Sequence, residues 1–246
     1  NLHSKEDCYK LASENTSLGG ALGGMPMAIK DLANVKGFKT TEGSPLYADR
    51  VAQKDDQMVA RLRAAGALFI GKTNTPEFGL GSNTFNPVYG KTKNPYDLSK
   101  TCGGSSGGAA VALATRMLSI SDGSDMMGSL RNPAAWNNVY GLRPTWGLIP
   151  PEPSGEIFLS QLSTLGPMAR SPKDLAMLLD VQANRAENRS FISSVTTFSD
   201  FTKKPIMKGI KVGWLGDWGG TLAFEEDLLD LSQEGLNEMS SMGAII

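Results

Sequence analysis

Between Cys102 and Pro144 the chain reads CGGSSGGAAVALATRMLSISDGSDMMGSLRNPAAWNNVYGLRP, and this stretch limits the possible folds more than any other. It holds two glycine-flanked serine clusters, Ser105-Ser106 and Ser124 to Ser129, joined by a run of small helix formers and a short apolar segment. Gly103, Gly104, Gly107 and Gly108 open backbone conformations closed to other residues and let a ligand come close to the main chain. Taken alone, GGSSGG is also the composition of a flexible linker. The next residues argue otherwise, because Ala109 to Met117 predicts a tightly packed helix lined with small side chains. Met117 to Ile120 then predicts a short strand closed by a turn at Asp122-Gly123. Two such turns would present Ser105 and Ser129 to one another across a strand edge, where open α/β sheets place their sites.

Further motifs fall into line around this stretch. MPMAIKDL with Lys30, GKTNTPEFG at Gly71 to Gly79, NPVYGKTKNPYD at Asn86 to Asp97, GGSSGG, GSDMMGSLRNPAAW, GLRPTWGLIP and LGPMAR succeed one another in an order that resembles the amidase signature family. The resemblance covers more than half of the chain. It implies an α/β fold with a mixed central β-sheet covered by α-helices on both sides. It also implies a Ser-Ser-Lys triad, with Ser129 as the acyl-forming nucleophile, Ser105 as a bridging serine held through a cis peptide bond, and Lys30 as the base. The reaction so implied is hydrolysis of a small or medium linear carboxamide to an acid and ammonia or an amine, without metal or cofactor. Backbone N–H groups of Met126, Met127, Gly128 and Ser129 would receive the oxyanion. Ser106 and Ser124 would hold the turn and the lysine, Asp125 would brace the turn, and Gly79 would lie in the acyl pocket near the reacting group.

The residues themselves are compatible with that chemistry. A serine hydroxyl needs a neighbouring base, which is usually histidine. The chain has one histidine, His3, near its N-terminus. Ser106 centres a G-x-S-x-G pattern, but the hydrolase elbow built on that pattern needs a histidine after the serine, and none comes after it. A buried lysine can serve instead, because desolvation disfavours the ammonium. Lys30 sits in such an apolar run, although a lysine snorkelling from a strand end would give the same local pattern.

One position departs from the family pattern: Met127 stands where glycine is usual. It is read either as a pocket wall or as a mark of lost activity. Two alternatives to a free-standing amidase stand beside it, the amidase subunit of a tRNA-dependent amidotransferase and a non-catalytic binding descendant. Met127 counts against the first, which resembles the glycine-containing form more closely.

Composition narrows the partners. With 24 basic and 25 acidic residues and a net charge of −1, without a basic block, a nucleic-acid-binding surface is not expected. Two cysteines, Cys8 and Cys102, are too few for a disulfide framework or a zinc site. No apolar run reaches the length of a membrane span, and NLHSKEDCYK carries no apolar leader core. A soluble cytoplasmic protein that binds a small amide, with a homodimer as an open possibility, is the expectation.

In chain order, Ser4 to Asn15 predicts a helix capped by Ser4, and Pro26 to Leu32 a strand carrying Lys30. Asp55 or Asp56 would cap a helix over Gln57 to Ala65, leading to a strand at Ala67 to Gly71 and completing half of a βαβ crossover. Gly71 to Asn94 is a long irregular loop with Phe78, Leu80, Phe85 and Tyr89 as pocket walls, and Lys72 lacks the frame of a phosphate loop. Arg131 and Arg143 are read as packing and ion-pairing residues. Pro172 opens a helix to about Ala183, and Asn184 to Lys204 is polar and irregular. Gly209 to Trp214 predicts a strand and Phe224 to Met242 a helix. Met242 to Ile246 repeats the helix-Gly-Ala-apolar pattern of Ala65 to Ile70, so a single domain over 1–246 whose sheet continues in a longer chain is expected.

Overall fold

The strand that carries Lys30, β1 (Pro26–Lys30, PMAIK), buries every residue after its first. Successive side chains of a strand point to opposite faces. Met27 and Ile29 therefore pack with Met58, Val59 and Leu62 of α2 (Gln57–Ala64) and with Leu178 and Leu179 of α5 (Pro172–Ala183). Ala28 packs instead with Ala109, Ala110 and Leu113 of α3 (Gly107–Ala114) and with Leu130 and Ala134 at α4 (Arg131–Trp136). β7 (Thr164–Ala169) divides in the same way, Ala169 to the first cluster and Met168 to the second. Helices thus cover both faces, and each fully buried Leu, Ile or Met contributes about 1.5–3 kcal/mol through burial. The computed structural model on which this description rests describes residues 2–14, 19–152, 161–183, 197–202, 207–225 and 227–246.

β2 (Leu68–Thr73) runs parallel to β1, with Lys30 opposite Thr73, and α2 crosses between them to complete the βαβ unit. β3 (Phe85–Asn86) and β4 (Gly90–Lys91) form a small antiparallel hairpin inside the long loop. β5 (Ile120–Asp125) pairs antiparallel with β7, which also pairs with β6 (Tyr140–Gly141). The fold is mixed α/β, as expected, but side chains join its parallel and antiparallel parts. The Lys30 N–H donates to Asp122 Oδ1 at 3.0 Å, and the Ser121 hydroxyl donates to the Ala28 carbonyl at 3.3 Å.

Several boundaries differ from the sequence reading. The apolar segment Met117 to Leu118 precedes the strand, and Asp122-Gly123 lies inside β5, not in a turn. A Cβ at Gly123 would come within 2.6 Å of Leu130 Cδ2 and 2.9 Å of Ser106 Oγ, so tertiary packing decides the conformation over the local turn signal. α3 starts at Gly107 and closes where Arg116 takes a positive φ of 62°. Asp56 does occupy the N-cap of α2, yet its carboxylate accepts from the Asn34 N–H and Nδ2. Ser4 caps α1 (Lys5–Glu14) as expected, accepting the Asp7 N–H at 3.0 Å. Of Asn184 to Lys204, only 197–202 fall within the described residues, as a 3-10 turn at Phe198–Thr202.

The chain divides into two compact units, Asn1–Asp200 and Phe201–Ile246. The second holds α6 (Leu228–Ser241), which begins after Asp227 at a positive φ of 68°. There the strands expected at Gly209 to Trp214 and after Gly243 meet in a single parallel bridge, Lys211 with Ile245. Among the described residues, no helix is long and apolar enough to cross a membrane.

Close packing around α3 sets up a stability test. A Cβ at Gly108 would lie 2.3 Å from Asn74 N and 2.6 Å from Asn74 O, both backbone atoms that cannot rotate away. Gly108→Ala is expected to destabilise the protein by about 1–3 kcal/mol, measured as a lower midpoint of urea unfolding.

Candidate active site

Lys30 ends β1 with the same facing as Ala28, toward the N-terminus of α3, and is 1 % exposed. Its Nζ lies 2.7 Å from Ser105 Oγ, 2.9 Å from Ser106 Oγ and 2.9 Å from Ser124 Oγ. These hydroxyls come from the two serine clusters that the sequence singles out. Burial drives the Lys30 pKa down to about 7 against the pull of Asp122 and Asp125, so near neutral pH a substantial fraction of the amine is unprotonated. An ammonium would donate to all three hydroxyls. A free amine keeps two N–H groups and offers a lone pair to the third.

The clusters are tied to each other directly. The Ser106 N–H donates to the Ser129 carbonyl at 3.2 Å, and the Ser124 N–H reaches Ser106 Oγ at 3.3 Å. The Gly104–Ser105 peptide bond is cis. Ser105 and Ser106 are buried, and Ser129 is half-buried at the turn after β5.

Asp125 braces that turn. Its side chain is fully buried and accepts the Gly128 N–H at 2.7 Å and the Leu130 N–H at 3.1 Å. Arg131 Nε lies 3.0 Å from Oδ2 and Arg143 Nη1 3.0 Å from Oδ1, which makes both arginines ion-pairing residues. Burial alone would push this carboxyl up, but the Arg131 guanidinium, the two N–H groups and Arg143 together hold it well below the usual carboxylate range. The Gly128 N–H, expected among the oxyanion donors, is therefore engaged by Asp125. Among the described residues, no hydrogen bond from the N–H of Met126, Met127 or Ser129 to a main-chain carbonyl is found. Gly128 has a φ of +116°, and a Cβ there would meet the Asn132 amide at 2.7 Å, so the turn needs glycine. Met126 and Met127 are both exposed.

Gly79, at a φ of +69°, lies against Leu32, whose Cδ1 would be 2.6 Å from a Cβ at that position. Leu32 and Lys30 both line a cavity of about 310 Å³ with Asp122, Ser124, Trp146 and Glu152. Phe78, Leu80 and Phe85 line a separate cleft in the long loop with Pro76 and Asn86.

Sequence reasoning missed the buried roles of Lys72 and Asp122. Lys72 Nζ donates to the Ala33 carbonyl at 2.6 Å and to Thr40 Oγ1 at 3.2 Å and lies 3.3 Å from Asp31 Oδ1, so it braces the base of the site. Asp122 reaches the Lys30 main chain.

The Amidase family model matches residues 3–246. A glutamyl-tRNA(Gln) amidotransferase subunit from Saccharolobus solfataricus is 35 % identical over 246 residues, which are all of this chain and 50 % of that protein. Native peptide amidase from Stenotrophomonas maltophilia superposes with a TM-score of 0.85 at 30 % identity, covering all of this chain and 52 % of that one. The crystal structure of a glutamyl-tRNA(Gln) amidotransferase subunit from Thermotoga maritima gives 0.80 at 29 %, covering 92 % of this chain and 50 % of that one. The chain thus spans about half the length of the relatives it matches.

Proposed function

The chain belongs to the amidase family, and from that premise we propose that the protein hydrolyses a carboxamide through a serine acyl-enzyme. The observation that carries this reading is the buried Lys30 amine within hydrogen-bond reach of Ser105, Ser106 and Ser124. Lys30, as the free amine, takes the proton of Ser105 while Ser105 takes that of Ser129. The Ser129 oxygen attacks the amide carbonyl, and the developing oxyanion is met by the N–H groups of Met126, Met127 and Ser129. The relay then runs backward, delivering a proton to the departing ammonia or amine, and water releases the acid by the same steps. Ser106 and Ser124 keep the amine aimed at Ser105. Met127 is exposed on this turn, which counts against its side chain blocking the site.

A second reading has its own support, since the Saccharolobus solfataricus amidotransferase subunit matches the chain over its whole length. In that case the amide is the side chain of glutamine and the ammonia passes to a partner protein. Hydroxylamine added to the intact protein with a panel of simple amides and with glutamine tests both. Hydroxamates from simple amides support the free-standing amidase. Hydroxamate from glutamine alone, and only with partner subunits present, supports the second reading. No hydroxamate in either case contradicts both.

The base also fixes a pH dependence. Below its pKa Lys30 is protonated and cannot accept a proton, so kcat/KM should rise about tenfold per pH unit up to an apparent value near 7 and then level off. A profile measured from about pH 5 to about pH 9 checks this, and a rate that falls as the pH rises through 7 would contradict it.

A further inference from the structure

The three serines hold the amine of Lys30 but do not hold its main chain, and they carry no charge to balance an ammonium. β5 supplies both through Asp122. This residue is 1 % exposed, accepts the Lys30 N–H on Oδ1 at 3.0 Å, and lines the cavity of about 310 Å³ beside Lys30 and Ser124. A carboxylate this deeply buried persists only near positive charge, and two buried lysines, Lys72 and Lys30, act on it.

The other charges around it are committed elsewhere. On the turn after β1, Asp31 accepts from the Thr41 hydroxyl at 2.6 Å and faces Lys72. At the end of β5, Asp125 is clasped by Arg131 and Arg143. On the cavity wall Asp56 binds Asn34, and Glu152 binds the Gln57 N–H. On α5, the Asp174 carboxylate accepts from the hydroxyl of Ser171, which caps the helix, and Asp180 accepts from Ser199. Residues Gly107–Ala114 of α3 and Thr164–Ala169 of β7 bring no charged side chain. Asp122 is thus the buried carboxylate that contacts the base's own residue.

We propose that Asp122 is the positioning residue of the base, anchoring the main chain of Lys30 and supplying the buried negative charge against which its amine gains and loses a proton. The inference rests on Lys30 acting as the base. While ionised, Asp122 favours the ammonium and so opposes the effect of burial, and its own pKa is raised by burial to about 6, which leaves it ionised where Lys30 titrates. Because the two groups interact, the measured values belong to the pair. Asp122→Asn keeps a carbonyl oxygen for the Lys30 N–H and removes the charge. Its acid limb should lie about one pH unit lower than that of the wild type. Asp122→Leu removes the acceptor as well, so its limb should fall likewise and its maximal rate should drop by at least about tenfold, as expected when a buried N–H loses its partner.

The test is the pH dependence of Ser129 phosphonylation by a fluorophosphonate, with loss of fluoride, in the intact protein, for the wild type and both variants, with folding checked by circular dichroism. A lowered acid limb in Asp122→Asn supports the inference. An unmoved or raised limb in a folded variant overturns it, as does loss of fold in both variants, which would make the carboxylate a structural element only. A wild type that takes no adduct at any pH overturns the base assignment itself, and the inference with it.

Discussion

Lys30→Ala is expected to lower amide turnover by about 10⁴-fold to 10⁶-fold, the range seen when a member of a nucleophile–base unit is removed. The size of the effect comes from isolation. Ser105, Ser106 and Ser124 surround the amine with hydroxyls alone, none of which can act as a base near neutral pH. Lys72, the other buried lysine near the site, is held by the Ala33 carbonyl and Asp31. Since alanine would leave a void in a close-packed region, Lys30→Met serves as the volume-matched companion. Both should bind substrate with a KM within a few-fold of the wild type while kcat collapses, the signature of an interaction used in the transition state. Retention of more than about a tenth of wild-type kcat in either folded variant would remove Lys30 from the mechanism.

Asp125→Ala is expected to destabilise the protein by about 3–5 kcal/mol, the range for removing one partner of a buried ion pair. Four donors would lose their acceptor: the N–H groups of Gly128 and Leu130, and the Arg131 and Arg143 guanidiniums. The two N–H groups are buried, whereas Arg131 is half exposed and can turn to solvent and Arg143 keeps the carbonyls of Asp125, Met126 and Leu162, so most of the loss falls on the backbone. Asp125→Asn keeps one acceptor and should lose less. The sign of the pH effect is set by the depressed pKa of Asp125. Its contribution is fully present above the ordinary carboxylate value of 3.8 and is lost as the pH falls through the lower native value. The unfolding midpoint of the variant relative to wild type should therefore differ most at neutral pH and converge toward it in strong acid. Equal midpoints at neutral pH would show that the turn is held by other contacts.

How much of this is legible in the sequence depends on the range of the forces involved. β1, α2 and β2 can be read nearly to their ends, because short apolar runs with alternating or helical spacing bury their own faces whatever surrounds them. The serine clusters are visible for a different reason. Glycines packed against backbone, such as Gly108 against Asn74, leave a trace in composition. Asp122-Gly123 reads wrongly as a turn because its turn propensity is local, whereas its strand conformation is fixed by Leu130, Ser106 and the Lys30 N–H, which approach from elsewhere in the chain. The pairing of Lys72 with Asp31 escapes notice for the same reason, as a buried ion pair leaves no periodic pattern. Gly128 falls at the expected turn but with a different partner, since backbone donors carry no sequence signal and only the structure shows that Asp125 takes its N–H.

The central claim is that Ser129, activated through Ser105 by Lys30, becomes the acylated residue. It is tested most directly by treating the intact protein with a fluorophosphonate and mapping the adduct by peptide mass spectrometry, alongside Ser129→Ala and Lys30→Ala. The account predicts one adduct on Ser129, absent in Ser129→Ala and formed much more slowly in Lys30→Ala. An adduct on Ser105 or Ser106, or labelling of Ser129 at an undiminished rate without Lys30, would contradict it.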